Sequence, residues 1–223
     1  IKLIYGRSFR APNSYELYFG DTFTQIAPNH LDPETISSYE AVFEHTFNRD
    51  VRLSLSVFYN EIRDLIDLTI DQTTELVVLQ NIGDSEVYGL EAEIEGKITE
   101  WDINGKVSYS FQSSRGDNDQ ELSNSPQHMV KLNLDKSFWN DALIIATELH
   151  YMTARNTING NVGDNIIHNL SLSSYDLIPG ARLTGSLYNV FDKIYKDPGS
   201  AEHTQDAIQQ NGRQFRLQLS YQF

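Results

Sequence analysis

Glu91, Glu93 and Glu95 take alternate positions in the segment Tyr88-Gly89-Leu90-Glu91-Ala92-Glu93-Ile94-Glu95-Gly96-Lys97. In an extended chain alternate side chains share a face, so three carboxylates would stack and repel. Such a stack calls for a basic partner, either Lys106 or a cation from elsewhere in the molecule. A second candidate is the stretch from Arg10 to Glu34, which carries Tyr15, Tyr18, Phe19, Phe23 and His30. Aromatic rings can cover a flat or catecholate ligand, and imidazole can ligate haem iron. A third, Asp117-Asn118-Asp119 with Glu121, has the acids of a calcium loop but neither the glycine nor the spacing of an EF-hand, so a solvated loop tip is expected. Catalytic signatures do not emerge. The six histidines are scattered without an HExxH pair, no G-x-S-x-G elbow occurs, and no glycine-rich loop could cradle phosphate. The absence of cysteine removes thiolate metal sites and disulfides. The chain is expected to bind rather than catalyse, with no cofactor and no metal site. Its net charge of −14 argues against a nucleic-acid partner.

The elements that would position these residues are strands. Phe215, Leu217, Leu219, Tyr221 and Phe223 alternate with Gln214, Arg216, Gln218, Ser220 and Gln222 to the last residue of the sequence. One face of that strand is apolar and the other polar. The same period recurs about ten times, and strands are expected near 1–9, 35–47, 51–66, 77–98, 101–113, 126–139, 142–155, 165–177, 180–192 and 212–223. Most reach the roughly 9–11 residues that a tilted membrane strand needs. No apolar run approaches the roughly 20 residues of a spanning helix. The connections alternate between short ones (Asn48-Arg49-Asp50, Thr99-Glu100, Asn140-Asp141, Ile178-Pro179) and long ones (about 10–34, 67–76, 114–125, 156–164 and 193–211). Sorting of this kind marks an up-and-down transmembrane barrel, with turns at one rim and loops at the other. A soluble β-sandwich, the rival reading, has no reason to sort its loops.

Register and girdles can be read as well. With Thr99-Glu100 as a two-residue turn, Ile98 faces Trp101, Gly96 faces Ile103, Ile94 faces Gly105 and Ala92 faces Val107. On the other face Lys97 meets Asp102 and Glu93 meets Lys106. Glu40, Glu44, Arg52, Glu91, Glu93, Glu95, Lys97 and Lys106 are expected to point into the lumen. Trp101, Phe138, Trp139, Tyr175 and Phe223 would mark the short-turn rim, and Tyr59, Tyr88, Tyr109 and Tyr151 the long-loop rim.

Five blocks in order carry a family resemblance. Tyr5-Gly6-Arg7-Ser8-Phe9-Arg10-Ala11-Pro12-Asn13, followed by Glu16-Leu17-Tyr18, resembles the FRAP-type segment of TonB-dependent outer-membrane receptors. Pro28-Asn29-His30-Leu31-Asp32-Pro33-Glu34-Thr35, then Ser38-Tyr39-Glu40, resembles their NPxLxPE segment, with Ala27 where its first Asn usually stands. Asn81-Ile82-Gly83 with Tyr88-Gly89-Leu90-Glu91-Ala92-Glu93, then Leu187-Tyr188-Asn189-Val190-Phe191-Asp192-Lys193 with Tyr195, and the terminal strand complete the set.

The resemblance implies a receptor in the outer membrane of a Gram-negative bacterium that imports a scarce nutrient with energy from TonB. A ferric siderophore is the first expectation. Haem or cobalamin is the alternative within the family, and a passive porin the alternative outside it. Residues 1–223 would be about ten C-terminal strands of a roughly 22-stranded barrel, a fragment lacking the plug domain, the TonB-contacting segment and the earlier strands. Its first and last strands would then present unpaired edges. Expected partners are TonB, outer-membrane lipid with lipopolysaccharide, and an iron chelate or similar small ligand. Candidate ligand contacts are Arg10, Tyr15, Tyr18, Phe19 and His30. Candidate plug or lumen contacts are Glu91, Glu93, Glu95, Lys106 and Arg52. In haem receptors of the family a His between the two segments ligates iron; here His30 lies inside the second segment. The loops read as acidic, which disfavours capture of a strongly anionic ligand by these loops alone.

Overall fold

The computed structural model describes every residue except 22, 49, 117–120, 176–178, 201, 202 and 223. Ten strands form one sheet: β1 (Lys2–Arg10), β2 (Glu34–Phe47), β3 (Val51–Arg63), β4 (Ser85–Ile98), β5 (Ile103–Gly116), β6 (His128–Phe138), β7 (Leu143–Met152), β8 (Asn165–Tyr175), β9 (Ala181–Tyr188) and β10 (Gln214–Tyr221). Their order in the sheet is their order in the chain, and every neighbouring pair is antiparallel. The connections 48–50, 99–102, 139–142 and 176–180 lie at one end. The longer 11–33, 64–84, 117–127, 153–164 and 189–213 lie at the other. This is an up-and-down barrel wall, as the period and the loop sorting predict.

No second sheet covers its apolar face. Among the described residues the buried hydrophobics are Leu31, Ile66, Val78, Leu79 and Val162, and all five lie in the long connections. In the wall, Phe215, Leu217, Leu219 and Tyr221 are each at least 60% exposed. A sandwich would bury this face against a facing sheet about 10 Å away. The soluble-sandwich reading therefore fails.

Three sequence expectations need correction. The expected strand 77–98 is two elements. Val77–Asn81 leaves the wall, pairs antiparallel with Ile66–Ile70 and meets Gln25–Ile26 in parallel. The break falls at Ile82-Gly83-Asp84, where Gly83 has φ +102°. Leu76-Val77-Val78-Leu79 is a continuous apolar run, which suits a strand covered on both sides rather than a wall strand; Val78 and Leu79 are both buried. Residues 67–76 thus hold most of one arm and the tip of a hairpin, and β3 ends at Arg63 rather than at 66.

Second, the turn after β4 spans four residues. Thr99–Trp101 is a 3₁₀ turn closed by Asp102 in the left-handed region. The ladder pairs Ile98 with Ile103, Gly96 with Gly105, Ile94 with Val107 and Ala92 with Tyr109. The register is shifted by two from the expected one. A shift of two keeps every side chain on its face, whereas a shift of one would invert them all. Both expected charge contacts survive as diagonals, Lys97 to Asp102 at 2.5 Å and Lys106 to Glu93 at 2.8 Å. Third, the turn at Asn140-Asp141 widens to residues 139–142, with Trp139, Asn140 and Asp141 all at positive φ. Arg49, Ile178 and Phe223, and the acidic tip at 117–119, lie outside the described residues.

Cross-strand rows show how each face is built. On the outward face Tyr5, Tyr39, Tyr59 and Tyr88 are successive register partners across four strands. Adjacent rings lie 5.0 Å apart for Tyr5–Tyr39 and 6.3 Å for Tyr39–Tyr59. Toward the long loops the next outward row is polar: Arg7, Ser37, Glu61, Glu86 and Arg115. On the inward face the Phe58 ring lies over Gly89, where a Cβ would meet its Cζ at 2.8 Å. The glycine of Tyr88-Gly89-Leu90 is required by that close approach.

Candidate functional site

Arg10, the last residue of β1, gathers the outer ends of three strands. Its Nε donates to Glu34 at 2.5 Å, and its Nη1 donates to both oxygens of Glu16 at 2.7 and 2.8 Å. Glu16 belongs to a short helix, Ser14–Tyr18, with a full capping box. Asn13 Oδ1 accepts from the Glu16 N–H at 3.0 Å, and Glu16 accepts from the Asn13 N–H at 2.8 Å. Glu34 opens β2, and its other oxygen accepts from the Ile66 N–H at 2.8 Å. Under this polar clamp sits a hydrophobic cluster of Leu31, Ile66 and Leu79 with Leu17 and Leu68. Asn81 closes the assembly. Its amide donates to the carbonyls of Asp32 and Asp64 at 3.0 and 2.6 Å, and its oxygen accepts from the Asp32 N–H at 2.8 Å. Residues from three sequence blocks therefore meet at one node that holds connections 11–33 and 64–84 against the wall.

The node changes the reading of Arg10. Its guanidinium is engaged by two carboxylates, so Arg10 can position the loop. What it positions is aromatic. Tyr15 and Phe19 stack at 4.5 Å, Tyr18 is 77% exposed, and Phe23 is 84% exposed. Asp21 shapes the turn between them by accepting from the N–H groups of Phe23, Thr24 and Gln25 and from the Thr24 hydroxyl. The Thr24 hydroxyl, followed by these N–H groups, holds the Asp21 carboxyl well below the usual carboxylate range. Asp71, at the hairpin tip, is lowered in the same way by Thr74. His30 is exposed, with Nε2 3.1 Å from Asp32.

A second node ties the loops over the other half of the wall. Arg155, 6% exposed, donates to Asp197 at 2.6 Å, to Asn124 at 3.1 Å and to the Lys196 carbonyl. Asp206 accepts from the Thr157 hydroxyl and from the Asn159 N–H, and those bonds lower its carboxyl. Asn189, at the exit of β9, donates to the carbonyls of Lys193 and Asn211 and accepts from the Lys193 N–H. It thereby staples both ends of the last long connection. Sequence reasoning missed these roles for Asn81, Arg155, Asn189 and Asp206. The motif blocks containing Asn81 and Asn189 were the available signal.

On the inward face the acids divide. Glu95 pairs with Arg52 at 3.1 Å, and Glu93 with Lys106 at 2.8 Å. Glu91 is exposed and makes no ion pair among the described residues. It lines a groove of about 310 Å³ with Ser54, Ser56, Glu93, Ser108, Ser110 and Lys131. Glu40, one strand further, is held by the Ser56 hydroxyl at 2.7 Å. Among the described residues no cluster of three His, Asp or Glu could hold a metal.

An antiparallel wall with sorted loops, apolar outside and ion-paired inside, defines the class of up-and-down β-barrels. The sequence profile described as TonB dependent receptor-like, beta-barrel, matches residues 4–190, and the chain belongs to that family. No curated protein matches the sequence. Among solved structures, the fold resembles the pyoverdine outer membrane receptor FpvA from Pseudomonas aeruginosa PAO1, with TM-score 0.72 and 17% identity over 98% of this chain and 33% of that one. It also resembles the ferric-catecholate import receptor Fiu from Escherichia coli K12, with TM-score 0.73 and 15% identity over 99% and 32%. The copper transporter OprC gives TM-score 0.78 and 14% identity over 98% and 36%. The chain thus spans about a third of the length of these proteins.

The clamp predicts its own test. Arg10→Ala leaves Glu16 and Glu34 facing each other unpaired. In the full-length receptor this should cost about 1 kcal/mol of local stability, roughly fivefold in loop opening. Limited proteolysis should show faster cutting in 11–33 and 64–84 with the strands from β6 to β10 still protected, and Tyr18→Ala should cut like wild type. Equal rates for Arg10→Ala and wild type would remove the clamp.

Proposed function

We propose that this chain forms the C-terminal wall and outer loops of a Gram-negative outer-membrane receptor that imports a scarce metal chelate with energy from TonB, a ferric siderophore being the first substrate class. The observation that carries the reading is the aromatic surface of Tyr15, Tyr18, Phe19 and Phe23, held by the Arg10 clamp above a wall with no apolar core. Aromatic faces suit a catecholate or hydroxamate shell around iron. Carboxylates kept ionised at Asp21 and Asp71 disfavour a strongly anionic chelate at these loops. Family membership supports gated uptake over a passive pore, and the similar structures are receptors and transporters rather than enzymes. TonB and the plug would act through parts of the protein beyond these residues. The bilayer would meet the outward face, with the long loops outside the cell.

His30 supports a second reading, haem. Its ring is exposed, and Nε2, which lies 3.1 Å from Asp32, would have to leave that carboxylate to ligate iron. For the plug, Glu91 is the favoured contact. Its neighbours Glu93 and Glu95 already have partners within the wall, so a basic plug side chain would find Glu91 free.

Two measurements test these assignments. Titration of the full-length receptor with a ferric trihydroxamate, which is neutral, should quench its fluorescence, and Tyr18→Ala should weaken binding by about 1 kcal/mol, roughly fivefold. An unchanged Kd would remove Tyr18, and a His30-dependent Soret band with haem would favour the second reading instead. In hydrogen exchange, Glu91→Gln should lower plug protection more than Glu93→Gln does. The reverse order would contradict the assignment.

A further inference from the structure

The chain has two methionines, and the ladder brings them together. Met129 is the second residue of β6, Met152 is the last of β7, and the two are register partners. The Thr153 N–H bonds to the His128 carbonyl at 3.0 Å, which marks His128 and Thr153 as a hydrogen-bonded pair. Pairs alternate along an antiparallel ladder. Met129 and Met152 therefore form a non-hydrogen-bonded pair, with Cα atoms about 4.5 Å apart and side chains at their closest. Both point inward, on the face of Lys131, Glu148 and His150. Their neighbours in the row are polar, Ser110 on β5 and Asn165 on β8. Packing within the row does not account for the pair. His150 lies two residues before Met152 on the same face, about 7 Å along the strand and within reach of a side chain with three rotatable bonds. Its Nε2 is 2.7 Å from Glu148, which also accepts from the Asn169 amide at 3.0 Å. A carboxylate that takes the proton of one ring nitrogen leaves the lone pair on the other, the common setting of a metal-binding imidazole.

We propose that Met129, Met152 and His150 form a site for a soft monovalent metal ion, copper(I) or silver(I), at the long-loop end of the inner wall. Thioether sulfur suits copper(I), whereas magnesium, calcium and manganese seek oxygen. With no cysteine in the sequence, these two thioethers are its only sulfur ligands. The charges agree with a single positive charge on the ion. Lys131 is the register partner of His150 and is exposed. Glu148 lies one row nearer the short turns, and Glu91 lines the same groove as Met129 and Lys131. Lys131 disfavours a divalent ion, while Glu148 and Glu91 offset the charge of a monovalent one. Binding here requires neither TonB nor a chelate, so loss of this site would leave the uptake reading standing.

The test is a titration of the full-length receptor in detergent with silver(I), which needs no reductant, and with zinc(II) as the control ion. Met129→Leu and Met152→Leu keep the side-chain volume and remove the sulfur. Each should weaken silver binding about tenfold or more, and His150→Gln should do the same. Zinc(II) should bind the wild type and the leucine variants alike. X-ray absorption of the wild-type receptor loaded with one equivalent of copper(I) under reducing conditions should show two sulfur neighbours and one nitrogen, a readout that needs no variant. Unchanged silver binding in any of the three variants, or a copper shell without sulfur, would overturn the proposal. A methionine pair that only packs against another part of the receptor would give that result.

Discussion

A strand that crosses hydrocarbon must satisfy its backbone sideways and show its two faces to two solvents. On the proposed membrane placement, that constraint organises this chain. Each of the ten strands bonds only to its neighbours in sequence, so the ladder satisfies N–H and C=O groups from β1 to β10. Alternation then puts Leu217 and Leu219 on one face and Arg216 and Gln218 on the other. The inward charges are largely matched within the wall, as Arg52–Glu95, Lys106–Glu93 and Lys2–Glu44 show. The apolar packing that a soluble domain would place between two layers is confined to the loops.

Motif residues at the strand ends act mainly as fasteners. Arg10 with Glu16 and Glu34, Asn81 with Asp32 and Asp64, and Asn189 with Lys193 and Asn211 each join segments that are remote in sequence. Long connections lose much entropy when ordered, and these polar staples offset part of it at the stems. The surfaces they leave free include Tyr18 and Phe23, the surface the proposed uptake function uses.

The sequence made the wall legible because period two and loop length are properties of the chain alone. The face of every wall strand followed from alternation, and the charge contacts Lys97–Asp102 and Lys106–Glu93 followed with it. Turn length was less legible. Asp102, Asn140 and Asp141 adopt left-handed backbone that widens their turns, and residue type alone leaves open how many residues share a turn. The hairpin at 66–81 was hidden because Val77-Val78-Leu79 reads as the start of the strand that runs on to Ile98, and only the run of consecutive hydrophobics marks it as covered on both sides. The Arg10 clamp was not legible because its acidic partners lie 6 and 24 residues away. Arg155 gave no signal, since the strands that bring it to Asp197 lie 42 positions apart.

Spin labels in β10 of the intact receptor reach the underlying constraint most directly. Labels at Leu217 and Leu219 should be accessible to oxygen dissolved in the bilayer and shielded from a water-soluble nickel reagent, and a label at Gln218 should show the opposite. An aqueous signature at Leu217 and Leu219 together with a hydrocarbon signature at Gln218 would contradict the two-solvent wall and the uptake function built on it.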